Sequence, residues 1–363
     1  MAVKITGISR DLIIHPGETI ADVLEERGIT QIELAIRTGV TAAYVSNVIA
    51  GKKDISANFA LALEYALDVP KSFWLNLQAN YDAELLELNK ELTITEEERS
   101  VREQLADVVK YLRSRGKMPT GEKKDASILS LRKALGMSDL SKLGDLIPQG
   151  AFRMASSQHV NPYVLGAWIR MCQIAGDGRT VETQYDDSKI DSMIAEIKEI
   201  MLDLDADIQS DLREVMKKYG IDFSIVKNFK GAPVQGYLSQ KNDGTYQMVL
   251  TIRGAYADIF WFSLFHEIGH LANGDVGKSS RFLDDGSDDA KEKKADLFAS
   301  NKLINPMDYS VFIGQNNFTI ESIQRFASSQ RVMPYVVIGR LQKEKRLPYN
   351  QYSAYKLRYK WAD

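Results

Sequence analysis

The sequence holds a single cysteine, Cys172, and only four histidines among 363 residues. One thiol excludes an intramolecular disulfide and any cysteine-based zinc cluster, so a bound metal has to be held by imidazole and carboxylate. Cys172 itself reads as a buried structural thiol. Long apolar runs are missing too. Nothing approaches the ~20 residues that span a bilayer, and the start MAVKITGISRDLIIHPGE lacks the basic flank and apolar stretch of a secretion signal. A cytoplasmic protein with no membrane partner is expected. Excess positive charge is also absent: 46 Lys and Arg against 49 Asp and Glu leave a net charge of −3. There is no general pull toward nucleic acid, and any DNA binding must rest on a local motif. Internal repeats and low-complexity tracts are lacking. What remains is the composition of an ordinary globular protein, long enough for two or three domains.

The pattern of apolar residues divides the chain into four parts. Residues 1–85 form a helical module, in which HPGETIADVLEERG, TQIELAIRTG, TAAYVSNVIAG and ISANFALALEYALDV carry apolar side chains at three- and four-residue spacing. Residues 86–220 are a helical connecting region. It opens on a long charged amphipathic helix starting near Tyr81, and the turn formers of KMPTGEKKDAS place a linker near 115–127. Residues 221–310 begin with IDFSIVKNF, VQGYLSQ and TYQMVLTIR, which alternate or are β-branched and predict a small antiparallel sheet. Residues 311–363 are a helical, basic extension. The fold class expected is mainly α with a small antiparallel sheet, an α+β arrangement.

TQIELAIRTGVTAAYVSNVIAGKKDIS has the layout of a helix pair that reads DNA. Thr30 can cap the first helix, Ala35 is small where two helices must meet, Gly39 supplies the turn, and Val45 and Val48 fasten the second helix to the core. Thr41, Ala42, Ala43, Ser46 and Asn47 are then left facing outward, small or polar groups suited to a major groove. Gln31 at a helix start, and Lys52 and Lys53 beyond the second helix, are candidates for phosphate. The plainer alternative is a helical bundle that binds no DNA. Over residues 1–80 seven basic residues face nine acidic ones, and the second helix carries no Lys or Arg. A single copy should therefore bind weakly, and a homodimer on a palindromic operator is expected. The stretch from Ile14 through FWLNLQANYD resembles the Xre-type helix-turn-helix of HigA-like antitoxins, which implies double-stranded DNA as a partner.

FHEIGHLANGD, residues 265–275, holds two of the four histidines four positions apart. On a helix His266 and His270 share one face and can present imidazoles to one ion, while Glu267 sits beside them within reach of an activated water. The plainer alternative is two polar residues on a packed helix. The surrounding DIFWFSLFHEIGHLA is apolar nearly all round, however, and buried imidazoles need partners. A catalytic zinc takes three protein ligands and leaves one position open. His15 and His159 lie in other regions, so the third ligand should be a carboxylate. Downstream, SDDAKEKKADLFASNKLI predicts a helix capped by Ser287 or Asp288, with Glu292, Ala295, Asp296, Ala299 and Leu303 on one face. Glu292 is the leading third ligand, with Asp275, Asp284 and Asp285 as alternatives. Asp296 would accept the outer N–H of a ligating histidine. Tyr237, Arg253 and Tyr256 are candidates to stabilise an oxyanion.

VLTIRGAYADIFWFSLFHEIGHLANGD and EKKADLFASNKLINP resemble the two helical motifs of the ImmA/IrrE-like metallopeptidase domain, a zincin-like fold. The resemblance implies Zn2+ at His266, His270 and Glu292, with Glu267 as general base. Two departures stand out: Lys294 occupies a position that is often acidic in that family, and LANGD replaces its usual apolar run ending in histidine. LRKALGMSDLSKL, GAFRMASS, LGAWIRMCQIA and VMPYVVIGRLQKEKRL resemble further parts of regulators that fuse the two domains.

The tail from Arg331 to Asp363 carries eight basic residues against two acidic, interleaved with Tyr335, Tyr349, Tyr352, Tyr355, Tyr359 and Trp361. It suits single-stranded nucleic acid or, more plainly, a docking segment whose aromatics cover the domain. The expectation for the whole chain is an antitoxin-like, DNA-binding regulator with a zinc peptidase-like domain, whose protein partner is a substrate, a repressor or a cognate toxin. Two other readings stand beside it: a regulator whose metal domain is a non-catalytic sensor or structural site, and a protease that uses the helix-turn-helix only to dimerise.

Overall fold

A computed structural model of the chain describes residues 13–147, 160–252, 255–276, 281–283 and 290–360, with the backbone alone for 281–283. The chain forms two compact units, Met1–Thr95 and Glu96–Asp363. Among the described residues no helix is long and apolar enough to cross a membrane.

The first unit is built from α1 (Pro16–Arg27), α2 (Gln31–Thr38), α3 (Ala42–Ile49), α4 (Ala57–Leu67) and α5 (Lys71–Asn89). Local chemistry sets its boundaries. The Thr30 hydroxyl accepts a hydrogen bond from the Glu33 amide and the Thr41 hydroxyl one from the Tyr44 amide, capping α2 and α3. Gly39 ends α2 at φ +69°, a conformation that costs glycine little. Ile20, Leu34, Val45, Val48, Leu63 and Trp74 fill the core. At the start of α1 a Cβ on Gly17 would stand 2.1 Å from the Val48 carbonyl oxygen, so only glycine lets α1 lie directly against α3. His15, which caps α1 by accepting from the Gly17 amide, is committed to this packing.

The second unit opens with α6 (Glu96–Gln104), α7 (Ala106–Ser114), α8 (Lys124–Leu135), α9 (Pro162–Ala175), α10 (Ile190–Leu202) and α11 (Ile208–Lys218). The single long helix expected after Tyr81 is interrupted. A 3-10 turn at Lys90–Thr93 leads to Ile94, whose extended backbone (φ −79°, ψ 123°) buries its side chain, and Leu105 separates α6 from α7 while fully buried. Burial of these two residues outweighs continuous helical propensity. The expected linker is the turn between α7 and α8.

The sheet follows: β1 (Ile221–Ile225), β2 (Gly236–Gln240), β3 (Tyr246–Leu250) and β4 (Arg281–Leu283), in the order β1-β3-β2-β4. It is mixed rather than purely antiparallel. β2 runs antiparallel to β3 and β4, but β1 pairs parallel with β3, Ile221 opposite Tyr246 and Ile225 opposite Leu250. Parallel pairing needs a crossover, supplied here by the return through β2. Phe223, Leu238, Met248 and Leu250 share a core with Trp261, Leu264, Phe265 and Ile268 of α12 (Ala257–Ala272). The remaining helices are α13 (Ala290–Leu303), α14 (Pro306–Gly314), α15 (Ile320–Ser329) and α16 (Pro334–Lys343).

The basic tail docks on the start of α12. The Tyr359 amide donates to the Ala255 carbonyl (2.7 Å), the Ala257 amide to that of Leu357 (3.0 Å), and the Trp261 indole N–H to the Tyr359 hydroxyl (2.9 Å). Lys356 pairs with Asp258 at 2.7 Å, both largely buried. Tyr359 and one of the cations are thus spent within the unit, whereas Tyr349 and Tyr355 stay exposed and Trp361 lies outside the described residues.

Candidate metal centre and helix-turn-helix surface

α12 is apolar on nearly every side because it runs through the core, and apart from Asp258 and Ser263 its polar residues lie together near its C-terminus. His266, Glu267 and His270 are all buried. α13 crosses it closely. A Cβ on Gly269 would stand 3.1 Å from the Ala295 Cα and 3.2 Å from the Ala295 oxygen, so the small residues Gly269 and Ala295 set the separation of the two helices. That approach delivers Glu292, also buried, to the histidines.

His266 Nε2 lies 3.0 Å from His270 Nε2 and 3.0 Å from a Glu292 carboxylate oxygen; His270 Nε2 lies 3.5 Å from the other. The far nitrogens also meet carboxylates: His266 Nδ1 stands 2.9 Å from Asp296 and His270 Nδ1 2.9 Å from Asp275. An ionised carboxylate only accepts, so each Nδ1 carries a hydrogen, and each Nε2 is left on the Glu292 side, where a metal-ligating imidazole would use it. Two imidazole nitrogens converging on a carboxylate are a donor set suited to a cation. Two atoms each about 2.0–2.1 Å from a tetrahedral zinc stand about 3.4 Å apart, and the observed separations bracket that value. His266, His270 and Glu292 thus form a buried group able to hold a metal ion. Burial opposes ionisation of Glu292, but the hydrogen bonds of His266 and His270 outweigh it and hold its carboxyl down at about 2. The His266 hydrogen bond likewise lowers Asp296, against the effect of burial, with help from Lys343.

Asp275 reaches its position through a turn. Gly274 at φ +68° reverses the chain after α12, and the Asp275 amide donates back to the His270 carbonyl at 3.0 Å. The NGD of the sequence is what brings this carboxylate to the histidine. Asp275 therefore sits behind His270, on the side away from Glu292. Asp284, Asp285, Ser287, Asp288, Arg253 and His159 lie outside the described residues. Tyr237 is buried in β2, and Tyr256 carries the Lys356 and Arg358 cations over its ring at 4.8 and 4.3 Å; neither lines the cavity that reaches the metal group. That cavity, about 740 Å3, is walled by His266 and Glu292, by apolar Ile259, Phe262 and Val336, and by Lys343. Glu267 is fully buried and packs on β2, where a Cβ on Gly236 would stand 1.8 Å from its carboxylate. Reading the sequence missed Gly269 and Gly236. A glycine directly before the second of two helical histidines, costing ~1 kcal/mol of helix propensity, was the available sign of close approach.

In the first unit Gln31, Thr41, Ala42, Ala43, Ser46, Lys52 and Lys53 are exposed and Asn47 is half-buried, on and around α3. Thr41 is occupied as a cap, and the Lys53 ammonium stands 4.8 Å from the Tyr44 ring. Sequence reasoning did not foresee Ile32 and Ile36, which lie largely exposed one turn apart on α2.

The fold and its two surfaces define a helix-turn-helix domain joined to a larger, mixed α/β unit that carries a metal-competent group. A helix-turn-helix family model matches residues 20–74. The chain is 44% identical over 69 residues to virulence-associated protein A′ of Dichelobacter nodosus, a match covering 19% of this chain and 60% of that protein's length. Among solved structures it is similar to the Pseudomonas aeruginosa antitoxin HigA with the higBA promoter, at 33% identity over 23% of this chain and 96% of that one, with a TM-score of 0.21. PA4674 of the same organism, solved with its operator DNA, is 33% identical over 22% of this chain and 85% of that one, with the same TM-score. An addiction-module antidote of the HigA family from Coxiella burnetii is 31% identical over 23% and 95%, again with a TM-score of 0.21.

Proposed function

We propose that the chain is an antitoxin-like DNA-binding regulator whose second unit is a zinc peptidase-like domain of the ImmA/IrrE kind. In the first unit Ser46, Asn47 and the small residues of α3 would enter a major groove, with Gln31, Lys52 and Lys53 at phosphates, as a homodimer on a palindromic operator. The match of residues 20–74 to the helix-turn-helix family supports this part.

The observation that carries the second part is the convergence of His266, His270 and Glu292 within 4.8 Å of one another, at the wall of a cavity large enough for a peptide side chain. These three residues would hold zinc, and Asp296 and Asp275 would keep both rings in the ligating tautomer. When bound, the ion supplies Lewis-acid polarisation of a peptide carbonyl and acidifies water. Glu267 would take a proton on its carboxylate and return it to the leaving amine. The apolar wall of Ile259, Phe262 and Val336 would seat an apolar side chain of a protein partner, a substrate, a repressor or a cognate toxin. A second reading, in which the metal site senses or stabilises without turnover, is favoured by the packing of Glu267 on Gly236, behind the cavity wall.

The deciding experiment is zinc content per chain by mass spectrometry for wild type beside Glu292→Ala. Near one zinc in wild type and clear loss in the variant is the expected result; a metal-free wild type purified without chelator would refute the metal reading. Glu267→Gln then separates the two readings, because it abolishes cleavage of a partner only if turnover occurs.

A further inference from the structure

A second cluster of charge lies at the edge of the sheet, apart from the histidines. A cavity of about 190 Å3 is lined by Arg179, which follows α9, by Arg213, Glu214 and Lys217 of α11, and by Asp222 of β1. Asp222 is 2% exposed, and both its oxygens are taken: one by Arg179 at 2.7 Å, the other by Lys241 at 3.0 Å. Among the described residues its ion pairs are with these two cations and not with Arg213 or Lys217. Arg213 spends its Nε on the Phe223 carbonyl at 3.3 Å. Glu214 is the remaining carboxylate in the wall, and it is exposed. Around this cavity Arg179, Lys241, Arg213 and Lys217 thus outnumber Asp222 and Glu214 by two charges.

Arg179 carries the second observation. Its Nη2 serves Asp222 and the Ser224 hydroxyl, but its Nε is buried with no hydrogen-bond partner among the described residues. A buried guanidinium N–H left unmet keeps its desolvation cost uncompensated. Burial lowers the pKa of Arg179, and the nearby Arg213 guanidinium adds to that effect against the pull of Asp222. Like charges thus face one another across a space that only an acceptor-rich, negative group would relieve.

We propose that this cavity binds a phosphate group, free or carried on a small metabolite. Its volume is below the ~300 Å3 of sites that enclose whole drug-sized ligands, so it takes the head group and leaves the remainder of a ligand outside. The forked donors of Arg179 and Arg213 match tetrahedral oxyanions, and Lys217 adds a point charge at the mouth. The site shares β1 with the sheet that packs on α12, so occupancy would stiffen one edge of the framework beneath the histidines. The inference stands apart from the metal reading and uses none of its residues.

The test is isothermal titration of the full chain, stripped of metal by chelator, with inorganic phosphate and with glycerol phosphate at constant ionic strength. Arg179→Gln would strand the buried Asp222 and unsettle the fold, so the variants are Arg213→Gln and Lys217→Gln, checked for unchanged thermal unfolding without ligand. Saturable one-to-one binding, weakened about tenfold in each variant, is expected from the loss of one charge-assisted contact. The tighter of the two probes names the source of the phosphate. No saturable heat with either probe, or equal affinity in wild type and both variants, overturns the proposal.

Discussion

Replacing Gly269 by alanine tests how strictly the approach of two helices sets the metal site. In an ordinary helix the change is favourable, by about 1 kcal/mol of helix propensity. Here the new Cβ would meet the Ala295 Cα at 3.1 Å, the Ala295 oxygen at 3.2 Å and Phe298 Cδ1 at 3.2 Å. Carbon atoms rest at about 3.5–4.0 Å, so α13 must withdraw by about half an ångström. Overpacking of this kind costs about 1–3 kcal/mol, which leaves a net loss of about 0–2 kcal/mol in the metal-free protein. The proposed zinc site should suffer more. Glu292 lies one turn before Ala295 on the withdrawing helix, and ligand distances tolerate only about 0.2 Å. Zinc affinity should fall about 10–100-fold, comparable to losing an outer-sphere partner. Thermal unfolding of chelator-treated protein, with zinc titration against a competing chelator, measures both quantities. A variant that is more stable than wild type and binds zinc equally well would show that the two helices are not held by this contact.

The remaining predictions concern single side chains. Asp275→Asn keeps the size of the group behind His270 but lets it present an amide N–H to Nδ1; zinc affinity should drop about 10–100-fold, measured by the same competition. Lys198 donates to the Leu303 and Gln330 carbonyls at 3.0 and 3.3 Å, and burial, aided by Arg331, lowers its pKa to about 8. Between pH 8 and the usual lysine value near 10.5 the unfolded chain binds more protons, so stability should rise with pH across that window, by no more than about 1.4 kcal/mol per pH unit. Denaturant unfolding of Lys198→Met should lack that rise, and an unchanged pH profile would exclude Lys198 as its source. In the first unit, Lys52→Gln should weaken operator binding evenly across DNA sequences and reduce the salt slope by about 1, read by fluorescence anisotropy over a salt series. A change confined to one sequence would mean that Lys52 reads a base instead.

Where spacing alone specifies geometry, the structure was legible in the sequence. The cap of Thr30, the Gly39 turn and the inward Val45 and Val48 follow from a pattern that spans less than thirty residues, whereas Thr41, read as a groove residue, is also the cap of α3. The same holds for His266 and His270 on one helical face, and for Glu292, Ala295 and Ala299 on another. Features set by distant contacts were not. The parallel pairing of β1 with β3 depends on which strand reaches the partner first, and nothing in IDFSI specifies a direction. β4 is three residues long, too short to show alternation. The break at Ile94 comes from a core that the local pattern does not contain. Asp275 was noticed as a possible ligand, yet its place behind His270 depends on the left-handed Gly274, which a reading of residue types alone does not supply.

The clasp between the tail and α12 bears on the order in which the protein comes into being. Trp261 meets the Tyr359 hydroxyl 98 positions further along the chain, whereas the backbone hydrogen bonds at the ends of α1 to α4 join near neighbours. During synthesis at about 5–20 residues per second, the helix-turn-helix is complete long before the helix that carries His266 and His270 receives its clasp. A ribosome that stalls in between would release a chain with its first unit formed and its second unfinished. Such a fragment would compete with the whole protein for the same partner of the first unit, without the metal-competent group, so the two units come into being at different times.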